Sequence, residues 1–263
     1  MSADDSANPT EVIYNRSLVL NGPKRNEILK LWEVKKYGTD SYGDPDFVSI
    51  YGMKPDDWFA RGVRILGRTA VECTPDCLAK VIAEDIAKVA RTASESTTAL
   101  VIDPFAGSGN TLFWILTCVE NSKGIGVELD DQIFALSRQN IASMRAPIEY
   151  LLEDYAAALK QIELKADQLL VVFVAPPWGG ALNHTTGLDL RRTTPPITEI
   201  VDAFKRHFAG SNCLFAVQVY QTLEPRGLEE LRSRFDWHAI HTYELNASGQ
   251  NHGILLGTCG WIP

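Results

Sequence analysis

The chain has 263 residues, 33 acidic against 25 basic, a formal net charge of −8, and 45% of its residues are apolar. Length and apolar content suit one substantial core and exclude a disordered, collagen-like or disulfide-scaffold chain. The acidic balance also excludes a protein that grips long nucleic acid by its general field, which needs clustered Lys and Arg, but it leaves room for a local basic groove.

No stretch approaches the roughly 20 uninterrupted apolar residues of a membrane span. The chain starts Met1-Ser-Ala-Asp-Asp5 rather than with a basic and then apolar leader. These features predict a soluble cytoplasmic protein, or a nuclear one in a eukaryote, with no membrane partner. Cys73, Cys77, Cys118, Cys213 and Cys259 lie mostly within apolar runs and read as reduced core thiols. Cys73 and Cys77 have no second Cys or His pair at finger spacing, so no metal is expected.

Residues 1–10 are small and polar and predict a short disordered lead. Residues 11–73 mix aromatics with Gly, Pro and Asp without a sustained period, which predicts an irregular, partly helical extension packed on a larger domain. That domain, 74–263, opens with Thr74 as an N-cap and Pro75 in the first turn of a helix whose apolar positions are Leu78, Val81, Ile82, Ile86 and Val89. Apolar, β-branched runs follow at 99–102, 124–127, 148–152, 169–174, 213–220, 239–245 and 254–259, with helical patterns between most of them. Continuous apolar strands alternating with helices imply an α/β fold with a Rossmann-like parallel sheet covered on both faces. The last two runs are joined by the turn-rich 246–251, which permits a hairpin and so an antiparallel edge.

The first strand runs into Asp103-Pro-Phe105-Ala106-Gly107-Ser108-Gly109-Asn110-Thr111 and then into a helix. Two glycines there let the backbone pass close to a ligand at the carboxyl end of the strand. The full Gly-x-Gly-x-x-Gly pattern is missing, which excludes a dinucleotide-dependent oxidoreductase, and no phosphate loop with Gly-Lys-Ser/Thr exists. The second strand ends at Glu128-Leu129-Asp130, where a carboxylate can accept both hydroxyls of a ribose. Asp154, after the third strand, is placed to meet an adenine amino group. Each acid also has a plain structural use: Asp103 as a turn cap, Glu128 as a solvated strand end, and Asp154 as a helix cap.

These motifs resemble those of class I S-adenosylmethionine-dependent methyltransferases. The resemblance implies a seven-stranded sheet with a reversed last strand and S-adenosylmethionine as cofactor, S-adenosylhomocysteine being the product. It puts the methionine part on Asp103 to Gly109, followed by Asn110 and Thr111, the ribose on Glu128 beside Leu129, and the adenine on Asp154.

The fourth strand ends in Ala175-Pro176-Pro177-Trp178-Gly179-Gly180. Two prolines fix φ and present rigid carbonyls beside a flat indole, a pairing that suits a planar nitrogen heterocycle; the alternative is a strand-ending turn with Trp178 buried beneath it. The run is similar to the signature of the trimethylguanosine synthase family, which methylates the guanine exocyclic amine of an RNA cap. Cys73-Thr74-Pro75-Asp76 resembles that family's Val-Thr-Pro-Glu helix start, and the similarity spans about residues 60–180. It implies that Trp178 stacks on the acceptor base, with Thr74 and Gly179 nearby. Where the family has Ser, this chain has Ala175, which cannot orient an amino group. Either the Pro176 carbonyl suffices or the acceptor is a ring nitrogen without a hydrogen.

The polar segment 181–196 reads as a lid or as a surface loop, and His184 in it is a candidate for the released proton. Arg61, Arg64, Arg68, Arg191 and Arg192 are the candidate phosphate contacts. The expected activity is N-methylation of a purine-like, guanine-related heteroaromatic small molecule or nucleotide. The alternatives are cap guanine-N2 methylation of capped RNA and a non-catalytic cofactor-binding subunit, against which the intact motifs count. The oligomeric state stays open.

Overall fold

The computed structural model describes residues 12–93, 98–183, 185–244 and 251–263. The expected disordered lead, His184 and the link around 246–250 lie outside the described residues. Seven strands form one sheet: β1 (Ala99–Asp103), β2 (Ser122–Glu128), β3 (Ile148–Leu152), β4 (Leu169–Val174), β5 (Cys213–Tyr220), β6 (Trp237–Glu244) and β7 (Asn251–Cys259). Their spatial order is β3-β2-β1-β4-β5-β7-β6. Neighbours from β3 to β5 run parallel, while β7 is antiparallel to both β5 and β6. A single reversed strand is thus inserted before the edge, as the class I resemblance implied.

Every residue of β1 and β4 is buried, as expected of central strands covered on both faces. One face is covered by α5 (Asp76–Ala93) and α6 (Asn110–Cys118), which place Leu78, Ile82, Ile86, Leu112 and Ile115 on Val101, Val171 and Leu214. The other is covered by α8 (Tyr155–Leu159), α9 (Ile197–His207) and α10 (Pro225–Arg232), with Ile197, Ile200, Val201 and Phe204 on Ile102, Val172 and Phe215. Helix α7 (Asp131–Met144) connects β2 to β3. Helix α5 starts one residue later than the sequence implies, with Pro75 just before it. The Thr74 carbonyl instead accepts from Asn110 Nδ2 at 2.8 Å.

Among the described residues before α5 there are four helices, α1 (Arg16–Val19), α2 (Leu31–Tyr42), α3 (Pro55–Ala60) and α4 (Gly67–Glu72). They share a core of their own around Val34, Tyr37, Ile50, Trp58 and Ile65, and this core continues onto Ile141 of α7 and the partly buried Phe113 of α6 and Tyr150 of β3. Of the five cysteines Cys213 is buried, Cys73, Cys118 and Cys259 are half-buried, and Cys77 is exposed, so not all are core thiols. No helix among the described residues is long and apolar enough to cross a membrane.

The outer strand β6 is tied to α5 by a buried carboxylate. Asp85 accepts from Lys88 Nζ at 2.7 Å and Tyr243 Oη at 2.7 Å, with His241 Nδ1 at 2.8 Å. Burial alone would raise its pKa, but these hydrogen bonds outweigh that and hold the carboxyl below its usual value. Stability from the cluster is therefore present above the ordinary carboxylate pKa and is lost as pH falls through the lowered one. Asp85→Ala should cost roughly 2 kcal/mol at neutral pH in urea unfolding, with the gap to wild type closing below about pH 4. A gap that does not change with pH would assign the loss to packing rather than charge.

Candidate active site

The loop between β1 and α6 lies at the carboxyl end of the central strand. Gly107 and Gly109 both have positive φ, +50° and +74°, and Gly109 is the N-cap of α6. The two glycines serve different needs. A Cβ at Gly109 would lie 2.1 Å from the Tyr150 hydroxyl oxygen, whereas one at Gly107 would meet nothing within 4 Å. The first glycine of the pair therefore faces open space and the second faces the core. The Ala106 amide donates to the Val127 carbonyl at 2.9 Å, and the Gly107 carbonyl accepts from Ser137 Oγ at 2.7 Å. Ala106, Ser108, Asn110 and Thr111 are buried, so their side chains brace the loop from inside, and only Phe105 and Gly107 are partly open to solvent.

Asp103 caps the loop's first turn, accepting from the Phe105 amide at 3.0 Å, and is almost fully buried. Burial pushes its carboxyl up to about 7, the Phe105 amide opposes this, and the charge of Glu128 adds to it. It has no cationic partner among the described residues. Glu128 accepts from the Gly107 amide at 3.1 Å and the Asp130 amide at 2.9 Å, and burial raises its pKa as well. It is a loop anchor, not the solvated strand end that was the plain alternative. Leu129 beside it is 72% exposed, and Leu152 at the end of β3 is 46% exposed, a pairing of bare leucines at one sheet edge. Asp154 takes the plain alternative, capping α8 by accepting from the Ala156 amide at 2.9 Å.

A narrow cavity of about 60 Å³ lies over the loop, between Ala106, Gly107 and Ser108 on one side and Thr69, Glu72, Cys73 and Thr74 on the other. Thr74 thus borders the glycine loop. Burial pushes the Cys73 thiol up to about 12, which removes it as a nucleophile. A cavity of about 580 Å³, lined among others by Thr98, Asn121 and Lys165, opens at the amino ends of the strands, the wrong end for a ligand in a parallel sheet.

At the end of β4, Ala175 and Trp178 are half-buried, Pro176 is buried, and Pro177, Gly179 and Gly180 are exposed. The Trp178 indole is not hidden under the turn. It stacks on His252 of β7 at 5.8 Å and 25° and meets Tyr220 of β5 edge-on at 6.1 Å. Antiparallel pairing puts Tyr220 directly opposite His252. Burial lowers the His252 pKa, keeping the imidazole neutral, and its Nδ1 is buried without a partner among the described residues. Sequence reasoning selected His184 and missed His252, whose place beside Trp178 depends on the reversal of β7 and carries no local signal.

The segment after Trp178 forms a two-stranded hairpin at 182–183 and 187–188 and then packs Leu188 and Leu190 into the main core. The amides of Thr185 and Thr186 donate to Asn183 Oδ1 at 2.8 Å and 3.1 Å. Of the arginines singled out, Arg191 is held by Asp189 at 2.9 Å and Glu224 at 3.0 Å, and Arg68 by Asp130 at 2.6 Å. Arg64 lies over the Phe59 ring at 3.7 Å, Arg61 Nη1 approaches Met144 Sδ at 3.9 Å, and Arg192 is exposed. No cluster of His, Cys, Asp and Glu among the described residues could hold a metal ion.

The strand order and the single reversed strand are those of the class I S-adenosylmethionine-dependent methyltransferase fold, and a glycine turn closes on a carboxylate at the end of β2. Residues 98–212, from β1 through α9, match the family model described as RNA cap guanine-N2 methyltransferase. Among solved structures, the METTL16 methyltransferase domain shares 15% identity at a TM-score of 0.50, over 72% of this chain and 70% of that one. A precorrin-6y C5,15-methyltransferase from Geobacter metallireducens aligns at 13% identity and a TM-score of 0.49, over 71% and 89%. An S-adenosylmethionine-dependent methyltransferase from Agrobacterium tumefaciens aligns at 14% and 0.49, over 74% and 67%. No curated protein matches the sequence. S-adenosylmethionine is the expected cofactor.

A carboxyl whose pKa is raised in the folded state adds stability below its unfolded pKa, and that stability is lost as pH rises through the folded value. Without a cation beside it, ionised Asp103 is a cost at alkaline pH. Asp103→Asn should therefore raise the thermal midpoint of the cofactor-free protein by several degrees at pH 8, and the gain should shrink as pH falls through 7 toward 4. Scanning calorimetry across that range checks it, and a midpoint lowered at every pH would show that the carboxylate is not under strain.

Proposed function

We propose that the protein transfers a methyl group from S-adenosylmethionine to a nitrogen of a purine-like, guanine-related heteroaromatic, a small molecule or a nucleotide. The observation that carries this reading is the Trp178 indole, braced by His252 and Tyr220 at the carboxyl end of the strand next to the glycine loop. A flat aromatic face beside two rigid prolines suits a flat acceptor.

The residues fit the cofactor. Asp103 is a buried carboxyl without a cationic partner among the described residues, and the amino group of the methionine part would supply one. Gly107 leaves open the space that a Cβ would fill, Glu128 can turn its oxygens to ribose hydroxyls, and Leu129 with Leu152 offers an apolar edge for adenine near Asp154. Ser108, Asn110 and Thr111 act from beneath, as supports of the loop.

S-adenosylmethionine supplies an electrophilic methyl group. The chain's own part is positioning: Trp178 holds the plane of the acceptor, and the turn 175–177 sets its edge. The acceptor nitrogen attacks with its lone pair before any proton leaves, so no strong base has to stand beside it. Ala175 offers no side-chain acceptor, which leaves orientation to the Pro176 carbonyl or favours a ring nitrogen that carries no hydrogen. Proton release afterwards goes to water or to a neutral histidine, and His252 stands against the indole.

A second reading, guanine-N2 methylation of a capped RNA, is favoured by the family match over 98–212. The electrostatics favour the first reading. A cap needs free guanidinium groups for its phosphates, and of the five candidate arginines Arg191 and Arg68 are already paired with carboxylates, which leaves Arg61, Arg64 and the exposed Arg192.

Mass-spectrometric methylation assays offering a methylated-guanine cap nucleotide beside free purines and pteridines separate the readings. Methylation of the free heterocycles is expected, and methylation of the cap nucleotide alone would establish the second reading. Trp178→Ala should lower turnover by roughly two orders of magnitude with cofactor affinity nearly intact. Glu128→Ala should weaken S-adenosylhomocysteine binding about tenfold. Equal loss of both properties in Trp178→Ala would remove the acceptor role from that ring.

A further inference from the structure

A turn of the N-terminal segment reaches the glycine loop. Ile50 and Met53 exchange both backbone hydrogen bonds, at 3.1 Å and 3.0 Å. Between them Tyr51 and Gly52 both have positive φ, +56° and +74°, the pattern of a two-residue type I′ turn. Glycine adopts that conformation freely, whereas a tyrosine holds it only where its surroundings keep it there.

Those surroundings are the loop itself. The Tyr51 amide donates to Asn110 Oδ1 at 2.7 Å, and the Tyr51 hydroxyl donates to the Ser108 carbonyl. Its buried ring meets Phe113 edge-on at 5.6 Å. Two further bonds close the arrangement, from Asn110 Nδ2 to the Thr74 carbonyl and from the Gly52 amide to Asp76 Oδ2, each at 2.8 Å. Both ends of one residue therefore grip positions 108 and 110, next to the Gly107 that faces open space.

We infer that Tyr51 is a positioning residue for the cofactor. It fixes 108–110 from the inner side, so the loop already has its binding shape when the ligand arrives, and the turn 50–53 is energetically coupled to the ligand. Without the hydroxyl the buried Ser108 carbonyl loses its partner, and the loop must move to recover one. A loop ordered in advance spares the ligand the cost of ordering it. By reciprocity, a ligand on the loop must also steady the turn. The inference rests on the cofactor lying on residues 103–109.

Tyr51→Phe tests it, because it keeps the ring, the turn and the amide bond and deletes one hydroxyl. Calorimetric titration with S-adenosylhomocysteine should show a dissociation constant raised by about fivefold or more, the lower bound of ordinary allosteric coupling. Amide exchange at 107–110 should be faster in the unliganded variant than in wild type. In wild type, S-adenosylhomocysteine should slow exchange at 51–53. A constant within about threefold of wild type would overturn the inference whatever the melting point does, since a merely structural tyrosine would lower the midpoint and spare affinity. Glu128→Ala, titrated alongside, separates the two levels. If it weakens binding and Tyr51→Phe does not, only the role of Tyr51 fails; if neither does, the loop is not the cofactor site and the inference falls with it.

Discussion

The turn from β1 into α6 has to leave a space rather than fill one, and much of the molecule is organised around that requirement. A loop with open room above it cannot be held from above, so its bonds all come from below and from the side. Glu128 takes the Gly107 amide, Ser137 donates to the Gly107 carbonyl, and Tyr51 grips the two residues beyond. The same opening strands Asp103 as a buried acid without a cation, a cost that a positively charged ligand would relieve. On the proposed cofactor site, ligand affinity and the cost of ionising Asp103 share one origin.

The acceptor side follows a different principle. On the proposed reading the chain supplies there one flat face, the Trp178 indole, stacked on His252 and braced edge-on by Tyr220, with one ring from each of three strand ends. Trp178 follows β4, Tyr220 ends β5, and His252 lies near the start of β7, whose reversal alone brings an amino-terminal strand end to the carboxyl edge of the sheet. The neutral imidazole supports the indole without adding charge. Arg191, in the segment that follows Trp178, is already matched by Asp189 and Glu224.

The N-terminal segment joins these parts. Its helices have a core of their own, yet that core runs on into α6, α7 and β3, and its turn at 50–53 contacts the loop directly. It therefore shapes the site as well as covering it. Three of those helices have six residues or fewer, too few turns to show a period, and the tyrosine in a glycine-favouring conformation looks ordinary in the chain.

What the sequence determined by itself was the sheet and the identity of the loop. The central runs are legible because β1 and β4, buried on both faces, have no polar positions, the outer runs by their β-branched and aromatic content, and Asp103, Gly107, Gly109 and Glu128 because backbone freedom and a carboxylate at fixed strand ends are local properties. Only the tertiary structure decided which side of the loop each residue serves, that Ser108 and Asn110 turn inward, that Asp154 caps a helix, and that Arg191 is already paired. It also decided that His252 stands against Trp178, more than 70 residues away in the chain. Those facts depend on strand register and on packing between distant segments, and no local pattern of residues encodes either.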